Sequence, residues 1–155
     1  MIEAWRRHPT LGPFLMIAEA VIRRAWSRET TAKEYKRDWS EENPALGQCA
    51  VSAALLYTWL REYAGIAAEI VFTRVPGLGN HYWVRLPDGT EIDLTRSQFT
   101  PGVVVPPGIP TDFMRHLKNH RKHLRDFCDR LDLLTERAAR YARELEVLRR
   151  WTRPT

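Results

Sequence analysis

The chain has 155 residues, 44% of them hydrophobic and 28% charged, with a formal net charge of +5. That length suits one compact domain whose core can stand without disulfides, and the composition excludes a disordered chain. Two cysteines, Cys49 and Cys128, cannot build a disulfide framework, and no apolar run reaches the ~18 residues of a membrane span.

Cysteine usage points to a reducing compartment, the cytoplasm. The N-terminal stretch carries Glu3 and Glu19 and a proline within its apolar run. It reads as folded protein, not as a signal peptide. A first helix is predicted over 11–26, with Thr10 as its cap and Pro13 in the first turn. Residues 39–48 read as a loop broken by Pro44 and Gly47. The next segment, CAVSAALLYTWLREYAG, predicts a helix that is apolar around nearly its whole circumference and stops at Gly65. A helix of that kind is buried in the centre of a domain.

After Gly65 the period changes to two. Residues 67–75, 81–86 and 90–94 predict three strands, the last two joined by the turn Pro87–Asp88–Gly89. Residues 101–110 hold four prolines and read as an extended connector. Residues 112–151 predict one long amphipathic helix or two stacked ones. Leu117, Leu124, Leu131, Ala138 and Leu145 recur every seven residues, with His120, Phe127, Leu134, Tyr141 and Leu148 three positions later. Such a heptad suits a coiled coil and equally a helix lying on the chain's own core. The fold class is therefore α+β, with a core over 1–105 and a helical extension over 111–152.

Residues 1–110 hold 12 basic and 12 acidic side chains, and residues 111–155 hold 12 basic and 7 acidic. The whole positive excess falls on the C-terminal helix. That charge is compatible with nucleic acid, but the interspersed acids and the lack of a recognised motif do not favour it. His116, His120 and His123 fall at helical spacing. Lys118, Arg121 and Lys122 crowd that stripe, so it reads as a solvated basic face and no metal or other cofactor is expected.

Cys49 opens the central helix, where unpaired amides and the positive helix pole favour the nucleophilic thiolate and can receive an oxyanion. As an isolated residue it would read as a small buried hydrophobe. His81 and Asp93 change that reading. They lie an even number of residues apart across a reversing hairpin, so one face can hold both. A carboxylate there fixes the imidazole tautomer and stabilises the imidazolium. Cys, His and Asp in this order suit nucleophilic catalysis. Gln48 and the Trp39 indole are candidate oxyanion supports, although a loop-closing glutamine and a core tryptophan are the commoner roles. Gln98 is a candidate support for Asp93, or a brace for the third strand. Cys128 reads as buried in the heptad.

The blocks GQCAVSA, HYWVRL and IDLT resemble the nucleophile turn, histidine strand and aspartate strand of the transglutaminase-like and papain-like cysteine enzymes. More closely, NPALGQCAVSAALL followed by NHYWVRLPDGTEIDLTRSQF is similar to the YunG-like family of small bacterial proteins. The likeness covers about residues 39–100. It implies a papain-like core, with Cys49 as nucleophile, His81 as general base and acid, and Asp93 as the orienting carboxylate. Ala50 stands where animal transglutaminases have tryptophan, and no acidic calcium loop is evident, which argues against calcium-dependent crosslinking.

The expected function is hydrolysis of a protein or peptide amide, by a peptidase or deamidase, through a thioester. Acyl transfer is the alternative within the same chemistry. A non-catalytic binding module that uses the basic helix is the alternative outside it. Self-association through the C-terminal heptads is compatible with all three.

Overall fold

The computed structural model describes residues 3–112, 115, 121–141 and 143. Among the described residues, three α-helices share one apolar core with a four-stranded antiparallel sheet, so the architecture is α+β. Helix α1 spans Gly12–Ala25, with Pro13 in its first turn as expected. Its cap differs from expectation. Leu11 is the N-cap residue and Thr10 donates no side-chain cap. The His8 ring instead holds the turn that leads into the helix, with Nδ1 accepting the Leu11 and Thr10 amides at 3.0 and 3.3 Å. With Nδ1 accepting, Nε2 carries the proton and donates to Asp88 Oδ2 at 2.8 Å.

Helix α2 spans Cys49–Ala64 and ends at Gly65, whose φ of 67° is the left-handed conformation of a helix stop. Its residues 51–56, 59 and 60 are all buried, as the apolar circumference predicts. Strand β1 (Glu69–Val75) pairs with β2 (Gly79–Arg85), and β2 pairs with β3 (Glu91–Ile92). The register sets Arg85 against Glu91 and Val84 against Ile92. Extending it by one residue brings Asp93 opposite Trp83.

The connector reading of 101–110 needs correction. Ile109–Thr111 forms a fourth strand, β4, on the free edge of β1, giving the order β3-β2-β1-β4. Pro110 lies opposite Val71. Proline lacks a ladder donor and is tolerated only at such an edge. Just before it, Gly108 lies flat on Trp83. A Cβ there would stand 2.6 Å from the indole. The segment from Thr95 to Gly108 therefore covers the face of the sheet that the helices leave open.

Helix α3 spans Arg121–Ala139 and packs on α1 and α2. Phe127, Leu134 and Ala138 are buried in the same apolar core as both other helices. Between the two readings of the heptad, the described stripe is spent on the chain's own core. Heptad positions 117, 120, 145 and 148 lie outside the described residues, as do His116 and His120. Among the described residues no helix is long and apolar enough to cross a membrane, and no cluster of potential metal ligands occurs.

Candidate active site

Three consecutive residues prepare the start of α2. Gly47 has φ 72°, and a Cβ there would meet Thr31 Oγ1, Tyr35 Cβ at 3.0 Å and Ala32 N at 3.1 Å. Only glycine fits both the backbone conformation and the space. Gln48 is fully buried. Its Nε2 donates to Ser27 O at 2.9 Å, and its Oε1 accepts from Thr30 Oγ1 at 2.9 Å. Cys49 follows, partly exposed, with its thiol 3.9 Å from Asn80 O.

The Gln48 side chain is thus used as a tie between α2 and residues 27–30, and neither of its polar atoms faces the thiol. The Trp39 indole is also engaged elsewhere, donating to Pro44 O at 3.0 Å, while the Arg28 guanidinium lies over its ring. The structure gives Gln48 the loop-closing role that competed with an oxyanion role, whereas Trp39 is half-buried, outside the core cluster, and closes its own loop.

His81 projects from β2, opposite Thr73 of β1, and is wholly buried. Trp83 stacks obliquely beside its ring at 5.3 Å and Phe99 meets it edge-on at 4.9 Å. Nε2 donates to Asp93 Oδ2 at 2.6 Å. Asp93 Oδ1 is held in turn by the Thr95 amide at 3.1 Å. Burial works against the charged ring, yet hydrogen bonds to Asp93 and then to Cys49 outweigh it and lift the His81 pKa to about 9. The structure therefore brings Cys49, His81 and Asp93 together, with the imidazole in the middle.

Gln98 joins them by a different route from the one expected. Its Nε2 lies 3.3 Å from His81 Nδ1 and 3.2 Å from Thr95 Oγ1, and its Oε1 accepts from the Gly47 amide at 3.4 Å. It supports the histidine and the nucleophile turn, not the Asp93 carboxylate.

Cys49 opens into a cleft of about 450 Å³. Tyr35 and Tyr82 line it. Burial and, next, the Cys49 charge push the Tyr82 phenol up to about 12, with Asn80 partly opposing. Burial first, then Glu34 and Cys49, raises Tyr35. One wall comes from α3, through His123, Asp126, Phe127 and Arg130. Arg130 is nearly buried, donating to Asp126 Oδ2 at 2.8 Å and to Thr30 O at 3.3 Å. The sequence reading left open whether this helix lies on the chain's own core, and it missed the helix's part in the cleft. The one available signal was Arg130 sitting on the apolar side of the heptad beside Phe127 and Leu134, where an arginine requires a partner.

No curated protein and no solved structure matches the chain. A family model described as YunG protein matches residues 15–142, a span that includes the sheet, the Cys49–His81–Asp93 cluster and α3. On that match the chain belongs to the YunG family.

Proposed function

We propose that the chain is a cysteine-nucleophile amide hydrolase, a peptidase or deamidase, built on a papain-like core. The observation that carries this reading is the wholly buried His81 ring, bonded to Asp93 and raised in pKa by Asp93 and Cys49 together, beside the open cleft that Cys49 lines. A thiol next to a basic imidazole that a carboxylate orients is the arrangement from which a thiolate–imidazolium pair forms.

Cys49 Sγ attacks the amide carbon while its proton rests on His81. The first-turn amides of α2, unpaired within the helix, face the developing oxyanion. Gln98 sits against the nitrogen that must take the thiol proton. In the neutral ring its Nε2–H donates to Nδ1, and it is released once Nδ1 holds the thiol proton. His81 then protonates the leaving amine, the C–N bond breaks, and a thioester remains. Water, deprotonated by His81, hydrolyses it and restores the thiol. An amine in place of water would turn the same steps into acyl transfer.

Alkylation by iodoacetamide, read by peptide mass spectrometry on the intact chain, tests this directly. Cys49 is expected to react at least about tenfold faster than Cys128 at neutral pH, and to lose that advantage in His81→Asn. Equal rates for the two thiols in the native chain would remove the activated nucleophile.

A further inference from the structure

A second, larger cleft of about 740 Å³ lies on the Asp93 side of the histidine, away from the thiol. Its charged groups do not balance. Asp93 is committed to His81, and Glu91 to Arg85 at 3.0 Å and to the Trp83 indole at 3.1 Å. Asp88 accepts from the Thr90 amide at 2.9 Å and from the His8 ring, which help hold its pKa down to about 2. Arg7 and Arg96 line the same cleft and have no ion pair, hydrogen bond or aromatic partner among the described residues. Two guanidiniums are thus left against carboxylates whose oxygens are already occupied. The cleft also has an apolar wall from Pro9, Pro106 and Pro107.

Guanidiniums without partners at a concave, partly apolar surface suit an oxyanion head group, which they bind in fork geometry, joined to an apolar body. We propose that this cleft binds a small organic anion, its phosphate or carboxylate held by Arg7 and Arg96 and its hydrocarbon part laid on the proline wall. The site is separate from the thiol cleft, and the proposal does not depend on the thiol chemistry.

Thermal unfolding of the full chain with phenyl phosphate, inorganic phosphate and phenol tests it. Phenyl phosphate at tenfold excess over its Kd is expected to raise Tm by roughly 3–5 °C. Inorganic phosphate should give a smaller rise and phenol none. The rise should vanish in the Arg7→Gln/Arg96→Gln double variant and persist in Cys49→Ala and in Arg74→Gln, which removes a β1 arginine that lines the thiol cleft. Neither guanidinium has a structural partner among the described residues, so the double variant is expected to fold. No rise in the native chain, or an equal rise in the double variant, would overturn the site. Loss in Cys49→Ala or in Arg74→Gln would move the ligand to the thiol cleft. Equal rises with phenol and phenyl phosphate would remove the role of the anion, and an equal rise with inorganic phosphate would remove that of the apolar wall.

Discussion

His81 couples the chemistry of the site to the stability of the fold. Its folded pKa of about 9 lies above the ordinary 6.5. The stabilisation from its ion pair is therefore complete below about pH 6.5 and is lost as pH rises through about 9. The difference corresponds to roughly 3 kcal/mol between those limits. Calorimetry of the native chain is expected to show Tm falling across this range, with a flatter profile in His81→Gln. A Tm that rises instead would mean a ring buried neutral, without the Asp93 partnership. Asp93→Asn should leave the thiol in place but lose the orienting carboxylate. Turnover of an amide substrate is expected to fall roughly 10²- to 10⁴-fold while Cys49 stays accessible to alkylation. Loss of both together would indicate that Asp93 holds the fold and not the tautomer.

Among the elements, the strap from Thr95 to Gly108 governs the histidine face of the sheet. Trp83 is pressed between Gly108 on one side and the His81 ring on the other. Gly108→Ala puts a methyl into the indole, which must shift against the His81 ring or into the neighbouring cleft. Overpacking of this kind costs about 1–3 kcal/mol. The expected outcome is a Tm lowered by several degrees together with a slower Cys49 alkylation rate, because the ring that polarises the thiol shifts. A drop in Tm with an unchanged rate would show that the strap stabilises the sheet without touching the site. This contact was not legible in the sequence, since it joins residues 25 positions apart through a segment whose four prolines hide a short edge strand. The β2–β3 register was legible, because a two-sided alternation bracketing Pro87–Asp88–Gly89 leaves one pairing that keeps Ile92 inside. Helix α2 was legible from its apolar circumference and its glycine stop. Gln48 was not, since a glutamine beside a thiol has the same letters whether it points at an oxyanion or into a loop. Only the distant Ser27 and Thr30 decide it.

At the scale of the molecule, α3 does three things at once. It closes the core through Phe127, Leu134 and Ala138, walls the thiol cleft, and grips residues 27–30 through Arg130 and Arg137. Those residues in turn hold Gln48, so a path of hydrogen bonds leads from α3 to the start of α2. Heptad spacing alone could not show this, because a covered stripe reads the same whether the cover is a second chain or the chain's own helices. The two variants Leu134→Ala and Arg130→Met separate the duties. Leu134 is fully buried, and its truncation should cost about 2–5 kcal/mol, seen in urea unfolding at unchanged slope. Arg130→Met keeps most of the volume but frees Thr30 O and Asp126. It should weaken the Gln48 tie and slow Cys49 alkylation more than its loss of stability predicts. With the stripe occupied internally, sedimentation of the native chain should give a monomer. A dimer that survives Leu134→Ala would locate its interface away from the described stripe, and a dimer abolished by it would restore the coiled-coil reading.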